Sequence, residues 1–415
     1  MIPKTTTIGS YPVFPRTDDV EYYQKMTKLG VADDLVDPYL WSAEEALKDF
    51  VSAGVEVPST GQTRGDLYSL FLDPKFVRGI EWKGAEAFVT GRVERMSSSI
   101  AGDVRHARSL LPPQFKLKEP VTDAYTLARF AKISNDSYPD TKELAEDINR
   151  KVVIPEIEDL QQTGAVSWIQ LDSPFIAAES STPHYIEDLY EEVASVAKFP
   201  IVLHACGDTT RVFPLLTRLK VGTLSLDFYH YRRLLEEAAG RGYDQLLGLG
   251  CNDSQDIRVE GVDEIGRTLQ LAKAKLGEDR IEFVHPHCGQ RNLPREVAYQ
   301  KNVQMTLARD DLYGGQIEEA SPSPLGPRQR DKVGYFLVLV KRESSEIVVT
   351  LYSYSHVPLR RFRSRSAERI FQSLDEEADK LGISRRHLAY LTLELGRAEA
   401  SLQGPSLGYR QKVID

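Results

Sequence analysis

The chain is poor in sulfur and in tryptophan, with three cysteines, four methionines and three tryptophans among 415 residues. Three cysteines cannot form the disulfide framework of a small secreted domain, so the expected compartment is a reducing one, the cytoplasm. No apolar run approaches the roughly 18 residues of a membrane span. The opening Met1-Ile-Pro-Lys-Thr-Thr-Thr-Ile-Gly-Ser10 lacks a hydrophobic signal core. Excess positive charge is missing too. Fifty-two basic against 61 acidic residues give a net charge of −9, which argues against general affinity for nucleic acid. No internal repeat is evident.

With 41% hydrophobic and 27% charged residues, the remainder has the composition of a globular protein. The central half alternates short apolar runs with helical patterns. Strands are predicted at 166–172, 201–204, 223–227, 246–250 and 281–284, with helices near 185–197 and 262–276. Strands separated by helices at this spacing indicate βαβ units and a parallel sheet. Each predicted strand ends in chemically capable residues: Asp172, His204 and Cys206, Asp227, Asn252 and Asp253, then His287 and Cys288. A TIM-type (β/α)8 barrel gathers its strand ends at one mouth. An open doubly wound sheet would not bring five of them to one point. The expected fold is therefore α/β, a barrel over 1–320. In its less regular N-terminal half, Thr6–Ser10 and Phe88–Val93 are taken as further strands. The polar stretch from about 95 to 140 is taken as an excursion over the mouth.

Ser321-Pro-Ser-Pro-Leu-Gly-Pro327 reads as a linker, placed at 321–333. Beyond it, 334–415 reads as a small α+β domain. It would hold a β-hairpin from 335–340 and 346–352, then helices near 367–381 and 384–402. Arg360, Arg361, Arg363, Arg365 and Arg369 give this domain a basic, solvated face.

Two thiolates, an imidazole and a carboxylate form a borderline-soft set suited to Zn²⁺. His204, Cys206, Asp227 and Cys288 supply such a set from three strand ends. His285 and His287 compete for the fourth place, and Asp227 is alternatively an orienter of His204. Cys251 is left over, as a core thiol or an auxiliary ligand. A thiolate-rich zinc site with an exchangeable ligand lowers the pKa of a substrate thiol and presents a nucleophile at neutral pH. His230 and His287 are candidates for handling the proton. Gly248-Leu-Gly250 lacks the third glycine of a nucleotide loop and reads as a strand flanked by small residues.

These motifs, in this order, resemble the catalytic domain of the cobalamin-independent methionine synthase family, in its short form. The resemblance rests on Thr6-Thr-Ile-Gly-Ser-Tyr-Pro12, Ile169-Gln-Leu-Asp-Ser-Pro174, His204-Ala-Cys206, Asp227 and Pro286-His-Cys-Gly289. It spans roughly residues 4–318. It implies a zinc-binding barrel that methylates the homocysteine thiol. Ile8, Gly9 and Ser10 would hold the amino acid's carboxylate, and Asp172 its ammonium. The implied methyl donor is a corrinoid protein or a reduced pterin. The chain departs from the family at three places. Asp227 stands for a glutamate ligand, Gln62 for the glutamate of a Gly-Glu motif, and Ser173 for the glutamate after Asp172. Each makes the pocket less anionic or its ligand shorter. The segments 387–399 and 408–411 resemble a domain found beside pterin-related proteins.

Two competing readings follow from the same residues. One is a metal-free barrel resembling uroporphyrinogen decarboxylase, favoured by arginines at the mouth and opposed by the cysteine pair. The other is a non-catalytic zinc-binding paralogue, marked by closure of the metal with four protein ligands.

Overall fold

The protein is described by a computed structural model over residues 2–12, 38–178 and 183–314, with parts of the C-terminal region (336–343, 346–353, 358–366, 369–370, 372–373 and 410–414). In chain order its first strands are β1 (Lys4–Thr5), β2 (Val77–Lys83), β3 (Glu86–Arg95), β4 (Leu117–Thr122) and β5 (Lys132–Ile133). They are followed by β6 (Val166–Asp172), β7 (Ile201–Ala205), β8 (Thr223–Asp227), β9 (Leu246–Gly250) and β10 (Ile281–His285). Seven of these form one parallel sheet in the order β1-β10-β9-β8-β7-β6-β4. The gap between β1 and β4 is filled by Val57–Pro58. Val57 N–H donates to the Thr5 carbonyl at 3.0 Å, and Lys118 N–H to the Pro58 carbonyl at 3.0 Å. With Thr6 bridged in parallel to Val57, the sheet closes into an eight-membered barrel.

Period-two alternation sorts the barrel residues. Leu171, Leu203, Leu224, Leu226 and Leu249 are buried in the main core with the surrounding helices. Trp168, Val202, Phe283 and Val57 form a separate small apolar cluster. The helices follow local chemistry. In Val262–Leu276, Asp263 and Glu264 occupy the first turn and Lys273 and Lys275 the last, each complementing the helix dipole. Gly277, at φ 82°, then stops it.

Three expectations are corrected here. Phe88–Val93 is not a barrel strand. It belongs to β3, which pairs with β2 and β5 in a separate three-stranded sheet, β2-β3-β5. The stretch 95–140 is not merely an excursion, because it contains barrel strand β4. Leu-Lys-Glu-Pro-Val-Thr shows no apolar run because Lys118 and Glu119 are themselves buried. The first strand is also shorter and earlier than Thr6–Ser10, leaving Gly9 and Ser10 in the turn that leaves the barrel.

The expected C-terminal hairpin is present as β11 (Phe336–Glu343) antiparallel to β12 (Glu346–Ser353). With β13 (Pro358–Ser364) and β14 (Arg410–Ile414) it makes a four-stranded sheet, β13-β12-β11-β14. The linker at 321–333 and nearly all of the two helical segments expected beyond 366 lie outside the described residues. Among the described residues, no helix is long and apolar enough to cross a membrane.

Candidate metal centre

The register of the barrel places the site before any side chain is considered. Asp172 on β6 pairs with His204 on β7, and His204 with Ser225 on β8. His204 is buried, and its Nδ1 lies 3.1 Å from the Ser225 carbonyl. A carbonyl only accepts, so Nδ1 carries the proton and Nε2 is left with its lone pair. That lone pair faces Cys206 Sγ at 2.8 Å, and Cys206 Sγ lies 2.6 Å from Cys288 Sγ. All three cysteines are free thiols. The ligand atoms of His204, Cys206 and Cys288 lie within 4.8 Å of one another.

The electrostatics suit a cation. Burial, with His285 and Lys118 nearby, holds His204 well below its ordinary pKa, which keeps it in the neutral ligand form. The Cys288 contact, then burial, holds the Cys206 thiol well above the usual range. Two thiolates this close repel, so their ionisation calls for a divalent cation between them. The donor set fits zinc.

Asp227 falls in a second cluster, with His230 and His287, whose ligand atoms also lie within 4.8 Å of one another. Its Oδ1 accepts from the His230 backbone N–H at 3.0 Å, and its Oδ2 lies 2.9 Å from His230 Nδ1. His230 Nε2 in turn lies 3.2 Å from Asp253 Oδ2. Burial works against the charged imidazole, but the Asp227 and Asp253 carboxylates outweigh it and raise the His230 pKa. His287 Nδ1 accepts from the Ser254 N–H at 2.8 Å, so its proton sits on Nε2. Its ring meets that of His230 edge to face, with centroids 4.7 Å apart.

Beside the ligand cluster lies a cradle of main chain and buried charge. Ser10, Gly9 and Ile8 leave the barrel next to Gln62. Gly9, at φ 148°, has Gln62 Oε1 3.3 Å from where its Cβ would stand. Gln62 has φ 50°, the one positive-φ non-glycine among the described residues. Its Nε2 is buried without a hydrogen-bond partner. Across the cradle, Gln170 Nε2 donates to Asp172 Oδ1 at 2.7 Å and also to the Ile8 carbonyl. The buried Lys118 ammonium donates to Gln170 Oε1, which fixes that amide's orientation. Burial pushes Asp172 up to about 7, against the opposing Gln170 bond and Lys118 charge. Burial likewise brings Lys118 down to about 7.

The cluster therefore unites His204, Cys206 and Cys288, and the cradle unites Ile8, Gly9, Ser10, Gln62 and Asp172. His285 is occupied elsewhere: its Nε2 lies 2.9 Å from Ser225 Oγ and its Nδ1 2.8 Å from the Pro286 carbonyl. Cys251 is fully buried, its thiol 3.4 Å from the His285 carbonyl, and serves the core. The two glycines of Gly248-Leu-Gly250 make room for histidines. A Cβ on Gly248 would meet His285 Nε2 at 2.8 Å, and one on Gly250 the His287 Cα at 2.8 Å. Lys118, Gln170 and Ser225 carry no role in the sequence reading, and Asp253 figures there only as a strand-end residue. Only the adjacent charges at 118–119, in an otherwise unassigned stretch, marked any of them.

The family profile "Cobalamin-independent synthase, Catalytic domain" matches residues 3–310, and the profile PterinBD-DUF4346 matches residues 330–412. A methionine synthase of Methanothermobacter marburgensis is 30% identical over 316 residues, covering 74% of this chain and 99% of that protein. One from Methanocaldococcus jannaschii is 28% identical over 321 residues, covering 73% and 97%. Among solved structures, a B12-independent methionine synthase from a Shewanella species, in complex with selenomethionine, is similar in fold. Its TM-score is 0.63 at 19% identity, covering 76% of this chain and 98% of that one. The chain thus belongs to the cobalamin-independent methionine synthase family, as a methyltransferase built on a TIM-type barrel with an added C-terminal domain.

Proposed function

We propose that the enzyme transfers a methyl group from a carrier to the thiol of homocysteine, with zinc held by His204, Cys206, Cys288 and Asp227. The observation that carries this reading is the convergence of one imidazole and two thiols beside the cradle of Gly9, Gln62 and Asp172. Zinc, when bound, supplies a Lewis acid that acidifies a thiol ligand and keeps it as thiolate at neutral pH. Ser225 orients His204 for its role as ligand. Asp227 already accepts two hydrogen bonds from His230, which makes it the exchangeable member of the set.

The substrate's carboxylate sits against the Gly9 and Ser10 amides and the Ser10 hydroxyl, with the unpaired Gln62 amide as a further donor. Its ammonium pairs with Asp172, a buried carboxylate whose raised pKa marks the need for a cation. The thiol proton passes to the neutral form of His230, at the half-exposed end of the Asp227–Asp253 relay, while His287, whose Nδ1 is taken by the Ser254 N–H, packs edge to face against that ring. The sulfur lone pair forms the new S–CH3 bond. The old bond from methyl to its carrier breaks, its electron pair staying on the carrier. Holding both reactants in line at the barrel mouth supplies the proximity. The pterin name borne by the matched C-terminal profile favours a reduced pterin over a corrinoid as carrier.

A decarboxylase reading leaves the two thiols without a role. The test is a single-turnover reaction of zinc-loaded protein with homocysteine and either a methylated reduced pterin or a methylcorrinoid, read by mass spectrometry. Methionine from one of the two donors is expected, and none with Cys288→Ser. No methylated product from either donor would overturn the reading.

A further inference from the structure

The loop behind Cys288 makes three ties at once. A Cβ on Gly289 would stand 2.2 Å from Ser10 Oγ, so any side chain there would displace the Ser10 hydroxyl from the cradle. The next residue, Gln290, donates its N–H to the Ser10 carbonyl at 2.7 Å. Arg291 then reaches across, its Nη2 donating to the carbonyl of Gln62 and, at 2.5 Å, to that of Gly65. The turn it grips is fixed on its other side as well. Arg64 is bidentate to Asp103, with contacts of 2.9 and 2.6 Å. Thr60, just before the turn, donates its N–H to Glu119 at 3.0 Å. Gln62 sits in the left-handed region, which glutamine adopts only when its surroundings impose it. The carbonyl of that same residue is the one Arg291 takes. A guanidinium offers charge-assisted, forked donors suited to holding two carbonyls together.

We propose that Arg291 is a positioning residue that ties the metal-ligand loop to the Gln62 turn, fixing the distance between metal and head-group cradle and so selecting the acceptor thiol by chain length. The choice of homocysteine as acceptor rests on the function proposed above; the tie itself does not. Homocysteine and cysteine differ by one methylene, so a rigid spacing accepts one and strains the other. A loosened spacing discriminates less.

The test uses full-length, zinc-loaded protein carrying Arg291→Ala or Arg291→Lys. Hydrogen exchange is followed over residues 59–66, alongside zinc content and kcat/KM for homocysteine and cysteine. With Arg291→Ala, zinc should stay at one per chain, while exchange over 59–66 quickens about tenfold, the signature of local opening. The homocysteine-to-cysteine ratio should fall roughly tenfold or more, within the discrimination one methylene provides, mainly through a higher KM for homocysteine. Arg291→Lys, able to reach one carbonyl, should fall between. Unchanged exchange over 59–66, or an intact ratio despite faster exchange, would overturn the proposal. If Arg291→Ala does not fold, Arg291→Lys carries the same comparison. If the wild type methylates neither thiol, the functional reading fails, and the exchange result still decides the tie.

Discussion

On the metal side of the site, carried by β7, β8 and β10, the buried histidines nearest the thiols are oriented by neutral partners, the Ser225 carbonyl for His204 and the Ser254 amide for His287, and carboxylates hold only the half-exposed His230. On the head-group side, carried by β4, β6 and the turns at 8–10 and 60–65, buried charges hold one another. Lys118 orients Gln170, Gln170 orients Asp172, and Glu119 secures Thr60. The first side is arranged for an ion supplied from outside and costs little to keep ready. The second keeps carboxylates and an ammonium inside the barrel, where each is expensive alone and tolerable together. Metal affinity and substrate selection should therefore separate under mutation.

The largest effect should follow Cys288→Ser, which replaces a thiolate by a hydroxyl that is a poor zinc ligand. Methyl transfer should fall by roughly 10³ or more, with zinc lost on dialysis and the circular dichroism spectrum unchanged. Unfolding of the variant, rather than demetallation, would erase the separation. Asp172→Asn comes next. It removes the proposed partner of the ammonium and should raise KM for homocysteine about 10- to 100-fold with zinc content at the wild-type level. Metal loss in that variant would show the two sides to be one unit.

Lys118→Met should act through Gln170. Without the ammonium, the Gln170 oxygen loses its donor and the amide can flip away from Asp172. A loss of about 1–3 kcal/mol in stability, with a several-fold rise in KM, is expected from chemical denaturation and kinetics. A KM that does not move would limit Lys118 to packing.

The last effect concerns pH and touches stability alone. Burial raises Glu119 from 4.5 to about 7. The folded state therefore favours its protonated form. The resulting stability is complete below pH 4.5 and is lost as pH rises through 7. Between pH 5 and 8 the wild type should lose up to about 3 kcal/mol relative to Glu119→Gln. Parallel denaturation midpoints for the two proteins across that range would assign the Glu119 carboxylate no part in the pH dependence.

The same two sides differ in how they could be read from sequence. The strands behind the metal side, Ile201–His204, Thr223–Asp227 and Ile281–Val284, announce themselves as apolar runs ending at candidate ligands. Their outward leucines face helices, as in any parallel barrel. The head-group side hides. Its strand β4 is spelled Leu-Lys-Glu-Pro-Val-Thr, and its other member, Val57–Pro58, is held by only a few backbone bonds. Polar residues that satisfy one another inside a barrel look like a surface loop when read singly. Conversely, Phe88–Val93 has the pattern of a barrel strand and is part of an inserted sheet. Cys206 and Cys288, 82 residues apart, were paired through motif order, whereas the engagement of Asp227 by His230 depends on side-chain conformation that spacing does not carry.

The most direct test of the account is zinc X-ray absorption on the purified enzyme before and after homocysteine is added. One zinc per chain is predicted, bound by two sulfurs with nitrogen and oxygen neighbours, with a third sulfur appearing at saturation as the oxygen ligand departs. A zinc shell that does not change on adding homocysteine, or protein that holds no zinc at all, would contradict it.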